Sequence, residues 1–413
     1  MNDITQTFTQ DQQRAWKLLQ GDANVFITGE AGSGKSYLVR EFMKLRDSRL
    51  FPVLASTGAA AVLVGGRTFH SFMGLGIMEG GKEATVARAL GDRRLVGRLK
   101  KALGFVIDEV SMLSGETLAA AEEICRFARE SVEPWGGLRV IAVGDFAQLP
   151  PVQKGVGFRK WAFLHPVWQR SAFQSVVLKQ NMRTGDARFL SLLNMIRQGR
   201  VNEEVTDFLN DRLTDESLEF DGTRLFPRRN ETDAFNMNEL EKLSAQMYCF
   251  PTRYSGQERF IEQLKKHSPL SDDLFLKEKA LVMLRQNDPK QRWVNGSTGH
   301  VTNITKEEVT IDLMNGRTVK VEPVSFSLLN AEGLAVATAT NFPLSLAYAT
   351  TIHKAQGMTL DRLMVNLSQL WEPGQAYVAL SRVIDPSELR IQSWSAGSIK
   401  SDPVVERFYE SLG

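Results

Sequence analysis

Gly29-Glu30-Ala31-Gly32-Ser33-Gly34-Lys35-Ser36 follows the apolar run of residues 24–28 and precedes the helical pattern of residues 37–44. Strand, glycine-rich turn and helix in that order make a phosphate-binding loop. Gly29, Gly32 and Gly34 let the backbone turn tightly enough for its N–H groups, with Ser33 among them, to surround phosphate oxygens at a helix N-terminus. Lys35 is placed to contact the β- and γ-phosphates, and the Ser36 hydroxyl a magnesium ion. A nucleoside triphosphate, ATP or GTP, with Mg2+ is the expected ligand.

Outward from this loop, residues 53–55, 105–107 and 140–143 are further short apolar, β-branched runs separated by amphipathic stretches. That alternation argues an α/β fold with a parallel sheet covered by helices. Asp108 and Glu109 end the second of these runs, which puts two carboxylates at the C-terminal edge of the sheet, where such folds bind ligands. Asp108 suits the metal and Glu109 the position of a general base for an attacking water. Without the phosphate loop, the same pair would read as a solvated turn. Val143-Gly-Asp-Phe-Ala-Gln-Leu-Pro-Pro-Val152 follows the third run, and its Gln148 is in reach of the γ-phosphate or the water.

At 413 residues the chain exceeds one ordinary domain. Its 43% hydrophobic and 24% charged residues exclude disordered, collagenous and membrane classes, and no apolar run approaches the roughly 18 residues of a membrane span. Two cysteines, Cys125 and Cys249, supply neither a disulfide framework nor a thiolate metal site. The polar start carries no targeting pattern, so a cytoplasmic protein is expected. With a net charge of +2, any nucleic-acid affinity must come from a local groove. Charge is segregated: residues 154–200 are basic except for Asp186, and residues 202–221 are acidic except for Arg212. These stretches read equally as two solvated helical faces.

Residues 344–351 and 362–366 resume the strand pattern and indicate a second α/β half. Between the halves, residues 280–301 and 309–321, with turn signals at Asn295-Gly296 and Asn315-Gly316, predict a small inserted β-barrel. Residues 73–101 form another insertion, glycine-rich and then basic at Arg88, Arg93, Arg94, Arg98, Lys100 and Lys101.

Several more segments narrow the reading: Thr9-Gln-Asp-Gln-Gln13, Ala55-Ser-Thr-Gly-Ala-Ala60, Thr68-Phe-His-Ser71, Leu178-Lys-Gln-Asn-Met-Arg-Thr184, Ile352-His-Lys-Ala-Gln-Gly-Met-Thr-Leu-Asp361 and Gly374-Gln-Ala-Tyr-Val-Ala-Leu-Ser-Arg-Val383. With the phosphate loop and the acidic pair, they closely resemble the Pif family of superfamily 1B DNA helicases, relatives of RecD and phage Dda, over nearly the whole chain. Residues 116–137 resemble the family's own signature segment. The resemblance implies adenine recognition by Gln12 and nucleotide contact at Gly357. It implies catalytic roles for Lys35, Glu109, Gln148, Arg183 and Arg382, with Arg382 the principal γ-phosphate sensor. DNA contacts fall to Ser56, Thr57 and His70 on one half and to His353 and Lys354 on the other. Taken singly, both histidines read as core residues. Departures from the family pattern are Glu30 and Ser33 in the phosphate loop, Ala355, and Thr184 where glutamine commonly follows the arginine.

The implied architecture is two RecA-like P-loop lobes with a wedge and an SH3-like insertion. The first lobe takes residues 1–72 and 102–175, the wedge 73–101, the second lobe 176–274 and 332–413, and the SH3-like insertion 275–331. The implied activity is an ATP- and Mg2+-dependent, monomeric DNA helicase working 5'-to-3' on single-stranded DNA and on junctions of single and double strands, with no membrane partner. The turn at Arg292 and Trp293 is expected to hold the strand. Two readings from other classes remain: a nucleic-acid clamp switched by nucleotide, and a P-loop ATPase that remodels protein.

Overall fold

The computed structural model describes residues 8–56, 60–61, 67–76, 78, 80–151, 159–215, 220–227, 229–288, 290–330 and 334–412. Strands β1 (Val25–Gly29), β2 (Val53–Ala55), β3 (Arg67–Thr68), β4 (Gly104–Asp108), β5 (Arg139–Val143) and β6 (Gln174–Leu178) form an all-parallel sheet in the order β3-β2-β4-β5-β1-β6. Alternating side chains leave opposite faces of a strand. Phe26, Phe105, Ile107, Val140 and Ala142 accordingly enter one apolar cluster, and Val25, Ile27, Val106, Ile141 and Val143 the other. Both faces are covered, which is why these strands are continuous apolar runs rather than alternating ones.

A second parallel sheet, in the order Ala349–Thr351, Thr223–Phe226, Leu363–Asn366, Leu389–Ser393, forms the second lobe. Helices Ala187–Arg197, Glu203–Asn210 and Gln375–Leu380 pack on it through Phe189, Ile196, Phe208, Tyr377 and Leu380. The chain thus has the expected α/β class with two parallel-sheet lobes.

The insertions differ in detail from the expectation. An antiparallel sheet runs Thr318–Val321, Val309–Leu313, Thr298–Ile304, Leu281–Leu284, Leu344–Leu346, so residues 344–351 are two strands in two sheets and not one. A separate sheet of Val324–Leu329, Ala335–Asn341 and Arg253–Gly256 carries helix Glu258–His267 on one face. The inserted β-structure therefore draws strands from outside residues 275–331. In the other insertion, helices Gly81–Gly91 and Arg93–Lys101 lay Val86, Ala89, Leu95 and Leu99 against helix Gly115–Arg129 of the signature segment, beside Leu118, Ile124 and Cys125. Arg98 donates to the Phe72 carbonyl, Arg88 to that of Leu75, and Lys100 pairs with Glu130. Arg88 and Arg98 are thus structural, while Arg93, Arg94, Lys100 and Lys101 stay exposed.

Two lobe boundaries also move. The division at 175/176 falls inside β6, which pairs with β1 along its whole length. Helix Pro403–Glu410, assigned by sequence to the second lobe, packs on the first: Phe408 stacks on Phe163 at 4.2 Å, and the Trp161 indole donates to Asp402 at 2.8 Å. Among the described residues, no helix is long and apolar enough to cross a membrane.

Candidate active site

Strand register gathers the motifs on one edge of the first sheet. Ala55 pairs with both Asp108 and Thr68, Ile27 with Val143, and Gly29 with Leu178. The residues that follow each strand, Ser56, His70, Glu109, Asp145 and the phosphate loop, therefore leave from the same C-terminal edge, the ligand edge of such a fold.

The loop is tightly enclosed. A Cβ at Gly29 (φ +147°) would lie 2.3 Å from the Leu178 carbonyl, and one at Gly32 (φ +86°) 2.7 Å from Arg183 Cβ, so only glycine fits either place. Lys35 Nζ donates to the carbonyls of Gly29 and Glu30 at 2.7 and 2.9 Å. Burial lowers its pKa from the usual lysine value. The Ser33 hydroxyl is buried with no partner. A cation resting on neutral carbonyls beside an orphaned hydroxyl, at the N-terminus of helix Lys35–Met43, is a cradle for phosphate. Ser36 is exposed on the first turn of that helix.

Gln12 serves the loop as well. Its Oε1 accepts from Thr9 N at 3.1 Å in a capping box, and its Nε2 donates to the Ser33 carbonyl at 3.2 Å. Both polar ends of the residue expected to read adenine are thus engaged within the protein.

Asp108 accepts from Glu109 N at 3.0 Å. Glu109 has a left-handed backbone, φ 53°, uncommon for a residue with a side chain and a form of strain that collects at functional sites. Burial, and then the Asp108 carboxylate, push the Glu109 carboxyl up to about 7, against the pull of Lys35 and Arg382. From the second lobe, Gln356 Nε2 donates to Glu109 Oε2 at 3.1 Å. Gly357, next in the chain, takes a left-handed turn with open space where a Cβ would stand.

The two arginines differ in what they reach. Arg183 lies against Gly32 and donates to the Ser381 carbonyl at 2.6 Å, so it spans from the loop to the second lobe. Arg382, fully buried, donates within its own lobe: to Val378 O at 2.7 Å, to Ser381 Oγ at 2.7 Å, and weakly to Ala355 O and Met358 O at 3.4 Å. Burial, and then the nearby Arg183 charge, lower its pKa to about 9. Gln148 is buried and donates to Asp145 at 3.4 Å.

Sequence reasoning missed five residues that close the seam. Ala31 of the loop is held at both backbone groups: its N–H donates to Tyr377 Oη at 2.8 Å, and its carbonyl accepts from Asn181 at 2.7 Å. Asp145, fully buried, accepts from Arg197 and from the Tyr409 hydroxyl, each at 2.8 Å. Tyr409 Oη also lies 2.8 Å from Thr28 Oγ1 and accepts from Phe146 N at 2.9 Å. Burial favours the neutral form of Asp145, but Arg197 and Lys35 outweigh it and hold its pKa below the usual range. Asn181, Asp145 and Tyr377 stood inside the quoted motifs; Arg197 and Tyr409 carried no signal.

Of the DNA-directed residues, Thr57 lies outside the described residues. Ser56 donates to the Met112 sulfur at 3.6 Å, and burial lowers the pKa of His70. His353 and Lys354 are exposed on the short helix Ile352–Ala355, with His353 3.7 Å from Glu372. Beside them Trp371 is 47% exposed, an aromatic face open to a base. In the Arg292–Trp293 turn, Trp293 is buried with its indole N–H unpartnered among the described residues, and Arg292 donates to Asp288 at 2.9 and 2.8 Å.

A family model described as PIF1-like helicase matches residues 7–207, and one described as Helicase matches residues 323–396. ATP-dependent DNA helicase Pif1 of Bdellovibrio bacteriovorus is 52% identical over 97% of this chain and 91% of its own length. ATP-dependent DNA helicase PIF1 of Xenopus laevis is 33% identical over 94% of this chain, which spans 62% of that protein. A Bacteroides Pif1 in complex with ADP-AlF4 superposes with a TM-score of 0.85 at 28% identity, covering 98% of this chain and 97% of that one. A Bacteroides Pif1 bound to ssDNA superposes at 0.65, again at 28% identity, covering 98% and 96%.

Proposed function

The chain belongs to the PIF1-like helicase family, and from that premise we propose that it is an ATP-dependent DNA helicase, stepping 5'-to-3' along single-stranded DNA. The observation that carries the reading is the meeting of both lobes at one phosphate loop: Gln356, Tyr377 and Ser381 of the second lobe touch Glu109, Ala31 and Arg183 around Lys35. A γ-phosphate placed there gives the uncompensated cations an anion and draws the lobes together. Arg382 exchanges its long carbonyl contacts for phosphate oxygens as the cleft closes. Glu109, steadied by Gln356, takes a proton from the water whose oxygen bonds to the γ-phosphorus as the bond to the bridging oxygen breaks. Loss of that phosphate releases the second lobe.

Mg2+ fits this site. Asp108 and Ser36 would hold it, an ion that takes most of its ligands from phosphate and water. When bound, it neutralises charge on the β- and γ-oxygens. Gln12 would read adenine by exchanging its Ser33 contact. Ser56, Thr57 and His70 on one lobe, and His353, Lys354 and Trp371 on the other, would grip the strand alternately. Residues 73–101 would meet the junction through Arg93, Arg94 and Lys101.

ATP turnover with and without single-stranded DNA, followed by strand displacement on 5'-tailed and 3'-tailed duplexes, tests the reading. Strong stimulation and unwinding of the 5'-tailed substrate are expected. Slow single-turnover hydrolysis points to a clamp, indifference to DNA to a protein remodeller, and preference for the 3' tail overturns the direction.

A further inference from the structure

Away from the nucleotide, Arg285 is a buried charge with no anion. It follows the strand Leu281–Leu284 and is 8% exposed. Its Nη1 meets only thioether sulfurs, Met283 at 3.4 Å and Met358 at 3.7 Å, and its Nε has no partner. Thioethers are weak acceptors, and no oxygen among the described residues accepts from this guanidinium. Burial alone lowers its pKa, to about 10. The nearest acid in sequence, Asp288, is already taken by Arg292.

Arg285 lines a groove of about 410 Å3 between the inserted β-structure and the second lobe, together with Lys265, Lys266 and Lys354. None of the groove's aspartates, Asp233, Asp272 and Asp273, acts on Arg285. A desolvated guanidinium at the wall of an open, lysine-bearing groove is built for an anion that arrives from outside. Its position adds a link to the nucleotide site. Met358, which covers Arg285, lies in the segment whose Gln356 holds Glu109 and whose Ala355 and Met358 carbonyls accept from Arg382.

We propose that the Arg285 groove binds a phosphodiester of the single strand, and that seating this phosphate shifts the Met358 segment and so reports DNA to the nucleotide site. The proposal rests on the DNA-helicase reading and deepens it.

The test compares wild type with Arg285→Met and Arg285→Lys, measuring single-stranded DNA affinity against salt, the DNA concentration that half-saturates ATP turnover, and the thermal midpoint. One lost phosphate contact lowers the slope of log affinity against log salt by roughly 0.7. The expected result for Arg285→Met is that loss of slope, an affinity weaker by about tenfold at low salt, a matching rise in half-saturating DNA, and a thermal midpoint no lower than wild type because a desolvated charge is gone. Arg285→Lys should keep most of the slope. If Arg285→Met keeps the wild-type slope and half-saturation, or unfolds while the lysine variant is stable, Arg285 is structural and the proposal is overturned. Salt-independent DNA binding by wild type itself would instead bring down the helicase reading.

Discussion

Arg197, with 12% of its side chain exposed, and the buried Arg382 are two arginines on the seam between the lobes, yet among the described residues only Arg197 has a carboxylate partner. Arg197 meets Asp145 at 2.8 Å, its guanidinium lies over the Tyr409 ring, and Tyr409 in turn donates to Asp145. Among the described residues, Arg382, like Lys35 and Arg183 beside it, hydrogen-bonds only to neutral oxygens. The first corner is complete as it stands and holds the lobes together. The second is a set of cations completed only by phosphate. Buried charge therefore separates scaffold from machinery by whether the protein supplies the counter-ion, and variants on the two sides should fail differently.

The largest effects belong on the phosphate side. Lys35→Ala should reduce ATP turnover by about a thousandfold or more, since no other side chain brings a cation so deep into the loop. Arg382→Ala should follow at about a thousandfold, with nucleotide affinity within threefold, because a cation from the second lobe helps most as charge shifts in the transition state. Glu109→Gln should lose on the order of a hundredfold in turnover while still binding ATP. In all three, denaturant unfolding should show stability equal to or above wild type. A marked loss of stability in Arg382→Ala would erase the distinction between the corners.

On the compensated side the order reverses. Arg197→Met leaves Asp145 buried without its cation and should destabilise the fold by about 3 kcal/mol in denaturant titration. Tyr409→Phe removes one hydroxyl from a network that keeps its ion pair, and should lower stability by about 1 kcal/mol with turnover at saturating ATP nearly unchanged. If Tyr409→Phe instead cuts turnover while leaving stability intact, the corner belongs with the machinery.

The phosphate side was legible in the sequence and the compensated side was not, for a reason of chain separation. Lys35, Ser36, Asp108 and Glu109 sit at the ends of strands with their own flanking turns, so strand register alone delivers them to one edge. Asp145, Arg197 and Tyr409 come from three distant segments, and nothing local marks Arg197 among the cations of its helix. The amphipathic pattern of helix Pro403–Glu410 says that Val405 and Phe408 pack, but not on which lobe. The inserted sheet shows the opposite failure. At the aromatic and basic turn of Arg292 and Trp293 the arginine has Asp288 as a partner, while the unremarkable Arg285 has no carboxylate. The junction contact proposed for residues 73–101 is best probed without deleting them. Deleting residues 73–101 would uncover Leu118 and Ile124, so charge reversal at Arg93 and Arg94 isolates junction contact from stability.

The chain passes between the lobes twice. It leaves the first after β6, where Met182 N donates to the Gly32 carbonyl, and it returns at Ser401, which donates to Gln198 O, and Asp402, which accepts from Trp161. Two covalent crossings act as a pair of hinge pins. If the lobes swing as proposed, these crossings define the axis of the swing, and mechanical load from a resisting duplex is carried by two backbones in parallel rather than one.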